Sequence, residues 1–309
     1  MKQGDYMEKD QLSIFQNWQE QYINEKKVLN MSKNTILNYS RVLDALYDHY
    51  AKFEDTLDFY AIDRAFLLSF LESRGEIATN TKNLYITVSK NFFTYISLHN
   101  KDGVDFRTRF TDLKAKAKKS DPVSLDNREY EVLTHYLNKP IKPASYLKYR
   151  NNLILKLLLF TGIRASELLS ISLTDIEVLE EEGVYKILIH GKGNKERYIY
   201  ISLETIQDEL SYIKEYIRDH SFSTRHIAQT SKGRVMMRSE LYLMIEKLFK
   251  RIGINKRGVH ILRHTFGKKM VQKNVNLSTI KELMGHENIQ TTMIYARSDE
   301  GSMITAVKA

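Results

Sequence analysis

The chain has 309 residues, a formal net charge of +9 at pH 7, 42% hydrophobic residues and 28% charged residues. This balance excludes a disordered chain, and the length favours two domains over one. The absence of cysteine excludes disulfides, thiolate metal sites and cysteine nucleophiles, while the positive charge favours a polyanionic partner, most often nucleic acid.

The N-terminal stretch, MKQGDYMEKDQLSIFQNWQ, lacks the apolar core of a signal peptide. No apolar run in the sequence reaches the length of about 18 residues that a membrane span needs. We therefore expect a cytoplasmic protein with no membrane partner.

The first third of the sequence carries the periodicity of helices, and the whole chain has only three prolines and 13 glycines to interrupt them. Ser32 can cap a helix whose apolar positions recur at spacings of three and four. These positions are Ile36, Tyr39, Leu43, Leu46 and Tyr50, and a second stripe runs through Tyr85, Val88, Phe92 and Tyr95. With Leu12 to Ile23 and Phe66 to Leu71, the pattern predicts a bundle of about four helices.

A basic segment, TDLKAKAKKSDPVSLD, follows this bundle and contains Lys114, Lys116, Lys118 and Lys119. We interpret residues 113–124 as a linker between a helical domain, residues 1–112, and a second domain, residues 125–309. Its lysines are either a solvated helix end or a strap along DNA phosphates, and the two interpretations are compatible.

The second domain begins with a helix that Ser124 or Asp126 can cap, and the apolar run from Asn151 to Phe160 predicts a buried core helix. An acidic extension, EVLEEEGVY, precedes a predicted hairpin, and we expect it to face solvent or a partner protein. The hairpin is GVYKILIHGKGNKERYIYISL, whose strands alternate around a glycine-rich turn. Lys192 stands at the tip of that turn.

Three further segments carry clusters of polar and charged groups. If HILRHTFG begins a helix, His260, Arg263 and His264 share one face with Gly267, as either a basic surface or an anion site. In TGIRASEL, Arg164 is expected to pair with Glu167, and KELMGHENIQTTMIYARS contains His286 and Tyr295.

No HExxH spacing supports a zinc site at the histidines, and GKGNKE is not a phosphate-binding Walker loop.

The segments GIRASEL, HGKGNKERYIYI, HILRHTF and LMGHENIQTTMIYA stand in the order of the motif boxes of tyrosine recombinases of the phage integrase family. The resemblance spans about Leu125 to Arg297. It implies a mainly α fold, in which a SAM-like helical core-binding domain precedes a mixed α+β catalytic domain with a small sheet. The layout is most similar to the compact Xer recombinases and, among them, to the single-recombinase, XerH-like branch.

The resemblance also implies residue roles. Tyr295 attacks the scissile phosphate, Arg164 and Arg263 bind its oxygens, and His260 is the acid/base partner of Tyr295. Lys192 protonates the leaving oxygen and His286 donates to the phosphate, whereas we expect His264 to be structural. The predicted DNA contacts are Lys114, Lys116, Lys118, Lys119, Lys195 and Arg197. No metal or cofactor is implied. Gly267 stands where alanine is frequent in the family, and Ala296 and Arg297 stand where Thr-His is common.

By the same resemblance, the partners are a dif-like duplex site, a homotetramer on two such sites and a DNA translocase such as FtsK. The expected role is chromosome dimer resolution. A C-terminal tail with Met303, Ile304 and Val307 would dock in a neighbouring subunit. Alternatives are an integrase of a mobile element, a DNA-binding protein of the same fold without strand transfer, and a type IB topoisomerase.

Overall fold

The computed structural model describes residues 10–115, 122–191 and 195–296. Residues 10–115 belong to one compact unit and residues 122–296 to a second. Leu113 packs in the core of the first unit and Leu125 in the core of the second. Half of the predicted linker, including Lys116, Lys118 and Lys119, lies outside the described residues, so the domain bounds stay a prediction.

The first unit is the predicted bundle of four helices: α1, Gln11–Val28; α2, Lys33–Tyr50; α3, Arg64–Ser73; and α4, Thr79–His99. The side chains of Asp10, Ser32 and Asp63 accept hydrogen bonds from the first turns of α1, α2 and α3, as N-caps do. A 3₁₀ turn, Phe59–Ala61, joins α2 to α3. Local sequence signals therefore set the start of three of the four helices.

Aromatic side chains fill the core of the first unit. The Phe15 ring lies 5.4 to 5.8 Å, between centroids, from the rings of Tyr47, Tyr50, Phe59 and Phe92. Edge-on, tilted and stacked ring pairs of this kind add to the stabilisation that burial alone provides. Tyr50 also contacts Phe66 of α3, so the four helices share one continuous aromatic core.

The second unit has eight helices and three strands among its described residues. The helices are α5, Asn127–Leu137; α6, Tyr146–Thr161; α7, Ala165–Ser170; α8, Leu203–Asp219; α9, Arg238–Arg251; α10, His260–Gln272; α11, Leu277–Met284; and α12, Gln290–Met293. The strands are β1, Ile176–Leu179; β2, Val184–His190; and β3, Glu196–Ser202.

Helix α6 is the centre of the second core, as its apolar run predicts, and α8 and α10 pack against it. It ends at Gly162, whose left-handed φ of 66° is the usual helix C-cap conformation. Asp126, not Ser124, caps α5, and it forms a reciprocal capping box with Glu129.

The strands form an antiparallel sheet in the order β1-β2-β3, which confirms the hairpin and adds a strand that the sequence analysis missed. Ile187 pairs with Ile199 in the middle of the hairpin, and both are buried. The missed strand lies in the supposed acidic extension, where Ile176 pairs with Ile187 and Leu179 with Val184. Its two middle residues are exposed, so it lacks the alternating pattern that marks a strand.

Among the described helices, none combines the length and the apolar character needed to cross a membrane.

Candidate active site

Helix α10 begins at His260 and turns one polar member of the predicted face, Arg263, inward. Leu262 and Phe266 are buried, as the helical spacing predicts. Arg263 is only 6% exposed, and its Nη1 donates to the carbonyl oxygen of Gly162 at the end of α6. A guanidinium at this depth rules out the interpretation of HILRHTFG as an ordinary basic surface.

The electrostatic environment of Arg263 is unfavourable for a cation. Burial, followed by the like charge of Arg164, lowers the pKa of Arg263 to about 10, while Glu167 and Tyr295 act in the opposite direction. A guanidinium that is buried beside a second positive charge is typical of a site that binds an anion.

Arg164 follows the Gly162 cap and forms the predicted ion pair with Glu167. Its Nη1 donates to Glu167 Oε1 at 2.8 Å, and its Nη2 donates to the carbonyl oxygen of Gly285 at 2.6 Å. The carboxylate also accepts from Arg197, through Nη1 at 3.0 Å and Nη2 at 2.9 Å. Glu167 therefore connects two guanidiniums from distant parts of the chain.

Glu167 is 3% exposed, and burial alone would raise its pKa. Hydrogen bonds from the Arg197 side chain and the Arg164 backbone more than offset burial and hold the pKa of Glu167 at about 2. The carboxylate is thus ionised throughout the physiological range, and it fixes the position of Arg164.

The predicted DNA contact of Arg197 is not supported by the contacts of its side chain. Besides the two bonds to Glu167, its Nε donates to the carbonyl oxygen of Leu283. Lys195, which directly precedes β3, is exposed and forms an ion pair with Glu287. Lys114, in the first unit, is also exposed. DNA contacts of these two lysines stay predictions, and Lys192 lies outside the described residues.

His286 enters the site from the end of α11. Gly285 closes that helix with a left-handed φ of 64°, and His286 follows it, 8% exposed, with Nδ1 2.8 Å from Thr292 Oγ1. Burial, followed by the charges of Arg263 and Arg164, lowers the pKa of His286 to about 4. The imidazole is therefore neutral near pH 7, as suits a hydrogen-bond donor to an anion.

Tyr295 comes after α12 and is 8% exposed. Its ring packs in a small cluster with Phe266, Ile280 and Met284. Burial raises the pKa of Tyr295, and the charge of Arg263 partly opposes this effect. The phenol thus lies inside the site, within the electrostatic field of the buried guanidinium.

The side chain that contacts the phenol is His264, which the sequence analysis treated as structural. His264 Nδ1 lies 2.8 Å from Tyr295 Oη, whereas His260 Nε2 lies 3.5 Å from Arg238 Nη2. The two imidazole rings are neighbours, with centroids 6.5 Å apart. Burial lowers the pKa of both histidines, so either can accept a proton near neutral pH.

The structure thus brings five of the six predicted catalytic residues into one site: Arg164, His260, Arg263, His286 and Tyr295. Two guanidiniums can neutralise an anion, neutral imidazoles can move protons, and a phenol can act as nucleophile. This set suits phosphoryl transfer. Within the three described ranges, no group of three or more His, Asp or Glu side chains is placed to hold a metal ion.

The chain is similar to known proteins along most of its length. The pattern of the Phage integrase family matches residues 123–301. Tyrosine recombinase XerH of Helicobacter pylori is 27% identical over 294 residues, which cover 89% of this chain and 80% of the relative. Tyrosine recombinase XerD of Halalkalibacterium halodurans is 30% identical over 289 residues, which cover 89% and 91%.

The fold is similar to that of solved recombinases. An XerH site-specific recombinase bound to a palindromic difH substrate, in a post-cleavage complex, superposes with a TM-score of 0.82 at 22% identity, covering 100% of this chain and 99% of that one. A lambda integrase dimer bound to a COC' core site superposes with a TM-score of 0.67 at 16% identity, covering 93% and 96%.

Proposed function

Because the chain belongs to the phage integrase family, the tyrosine recombinases, we propose that it cuts and rejoins duplex DNA at specific sites through a 3'-phosphotyrosyl intermediate. The observation that carries this proposal is the meeting of Tyr295 with two arginines and three neutral histidines in one cluster, in which Arg263, His286 and Tyr295 are buried. A protein that only bound DNA would not need a buried phenol in that position.

In the proposed reaction, Tyr295 Oη attacks the scissile phosphorus, and the bond from phosphorus to the 5' oxygen breaks. The released 5'-hydroxyl of a partner strand then attacks the phosphotyrosine and reverses the step. The energy of the broken ester is kept in the covalent intermediate, so rejoining needs no nucleotide cofactor.

Arg164 and Arg263 supply the charge that the transition state needs. Planar guanidiniums match the non-bridging oxygens of a phosphate in a bidentate manner. Glu167 and the Gly285 carbonyl hold Arg164, and the Gly162 carbonyl holds Arg263, so both cations are placed before the substrate arrives. Such preorganisation lowers the reorganisation cost of the reaction.

Proton transfer involves the neutral imidazoles. We assign removal of the phenol proton to His264, whose Nδ1 lies 2.8 Å from Tyr295 Oη, and donation to the phosphate to His286; His260 is the neighbour of His264 on α10. We assign protonation of the leaving 5' oxygen to Lys192.

The partner is a dif-like duplex bound by four copies of this chain on two sites, and the biological role is chromosome dimer resolution. The support is the likeness to the XerH and XerD relatives. A DNA translocase of the FtsK type would activate the assembly.

The test of the reaction is covalent capture. A nicked suicide duplex that carries the cognate site should become linked to the protein in the presence of EDTA, and Tyr295→Phe should bind the duplex without forming the adduct. An adduct in Tyr295→Phe would disprove the choice of nucleophile. Binding without an adduct in the natural chain would instead indicate a DNA-binding protein without strand transfer. Sequencing genomic fragments captured as adducts would identify the site.

A further inference from the structure

Gly267 lies in the interior of α10 and faces the ring of Tyr295. A Cβ atom at this position would lie 2.6 Å from Tyr295 Cε2, 2.7 Å from Cδ2 and 2.9 Å from Cζ. Side-chain carbons do not approach ring carbons this closely, so the ring occupies the space that any other residue at 267 would need.

The backbone does not require glycine at this position. Gly267 lies within a regular helix and is absent from the glycines of the described chain that adopt positive φ, whereas Gly162, Gly258 and Gly285 are among them. Glycine in a helix interior is destabilising relative to alanine. What glycine provides here is room for the ring of Tyr295.

The remaining contacts of Tyr295 complete the enclosure. Its ring packs with Phe266, Ile280 and Met284, and its hydroxyl lies 2.8 Å from His264 Nδ1. Residues 264 and 267 are three positions apart on α10, so they lie on one face of the helix and meet the same phenol. One helix turn therefore contacts both the ring and the hydroxyl.

We propose that in this chain, which has glycine where alanine is frequent in the family, Gly267 is a positioning residue for Tyr295: its missing side chain lets the ring lie closer to α10 than an alanine would allow, where His264 holds the hydroxyl. The proposal rests on the proposed function in one respect, the choice of Tyr295 as nucleophile. Gly267→Ala displaces the ring, raises its exposure and slows cleavage without weakening DNA binding.

Chemical modification tests the position of the ring without any DNA. Tryptic cleavage gives a peptide, residues 282–297, with Tyr295 as its single tyrosine, so nitration by tetranitromethane can be followed there by mass spectrometry. We expect Tyr295 to be nitrated several-fold faster in Gly267→Ala than in the natural chain. The half-exposed Tyr198 and Tyr200 serve as internal standards, and Gln272→Ala, at the exposed end of α10, serves as the control variant. Equal nitration of Tyr295 in both proteins would overturn the proposal.

A double-mutant cycle tests the contact itself. Gly267→Ala should lower the melting temperature of the natural chain, but it should raise it in a Tyr295→Ala background, where the ring is gone and alanine is the better helix former. The same shift in both backgrounds would contradict the proposed contact. This comparison also remains informative if Gly267→Ala alone folds poorly.

Kinetics complete the test. On the suicide duplex, Gly267→Ala should form the adduct at least tenfold more slowly, by roughly the factor that a small misplacement of a reacting group causes, with unchanged duplex affinity. An unchanged rate of adduct formation would refute the positioning role. If the natural chain forms no adduct while the nitration and melting results hold, the proposed function fails and the contact between Gly267 and Tyr295 stands.

Discussion

Replacing Glu167 with glutamine should lower the free energy of unfolding by about 3 kcal/mol at neutral pH. A carboxyl whose pKa falls from its usual 4.5 to about 2 on folding contributes about 3 kcal/mol, since each pKa unit corresponds to about 1.4 kcal/mol. Removing one partner of a buried ion pair costs about 3 to 5 kcal/mol in other proteins, which agrees with this figure. Glutamine keeps the shape of the side chain but leaves Arg164 and Arg197 without a counter-charge.

The pH dependence gives the same prediction a second test. Because folding depresses the pKa of Glu167, its contribution is complete above the unfolded value of 4.5 and is lost as the pH falls to about 2. The difference between the natural chain and Glu167→Gln should therefore be largest near neutral pH and should shrink below a pH of about 4. Urea unfolding at several pH values, followed by circular dichroism, measures that difference.

A matched control is Glu177→Gln. Glu177 pairs with Lys186 at 3.1 Å on the exposed side of the sheet, where it is 60% exposed, so its loss should cost less than about 1 kcal/mol. If Glu167→Gln proves no more destabilising than Glu177→Gln, the argument that Glu167 organises two buried guanidiniums is wrong.

Three further changes test other parts of the site. Arg263→Lys should slow adduct formation on the suicide duplex by roughly 10² to 10³-fold, the loss seen when one anion-binding donor is removed, and a rate close to that of the natural chain would contradict the phosphate role. Folding lowers the pKa of His286 from 6.5 to about 4. The contribution of the neutral imidazole to the free energy of unfolding is therefore fully present above pH 6.5 and is lost as the pH falls towards 4. Between pH 6.5 and 4, the free energy of unfolding measured in urea should fall by about 3 kcal/mol more in the natural chain than in His286→Gln. Equal losses in the two proteins would disprove that burial keeps His286 neutral. Gly162→Ala should destabilise the folded protein by more than about 1 kcal/mol, because φ at this position is 66° and the new Cβ would lie 2.3 Å from Phe266 Cδ1. Thermal unfolding measures this loss, and an unchanged melting temperature would refute the predicted strain.

Local patterns were sufficient for much of the fold. The stripe through Ile36, Leu43 and Tyr50 predicted α2, because helical periodicity depends only on neighbouring residues. Strand β1 was missed because its two middle residues, Glu177 and Val178, are both exposed, so buried and exposed positions do not alternate along it. Its pairing with β2 is a tertiary property that a segment of four residues does not encode.

The same distinction separates the predicted and missed parts of the site. His260 and His264 share a face of α10, so their spacing alone could not tell which one meets Tyr295; that depends on how the chain after α12 docks. Arg197 resembled a surface cation because its partner, Glu167, is thirty residues earlier in the chain. The motif boxes predicted which residues converge, and the contacts among them required the fold.

The burial of Arg263 beside Arg164 offers a way to search for the DNA sequence that the protein binds. The two like charges oppose each other inside the second unit, and an incoming phosphodiester relieves that repulsion. A ligand that binds only the folded state raises the apparent melting point by an amount that grows with the logarithm of its concentration divided by its Kd. Duplex libraries could therefore be screened by thermal shift against Tyr295→Phe, which ranks candidate sequences without requiring a single turnover.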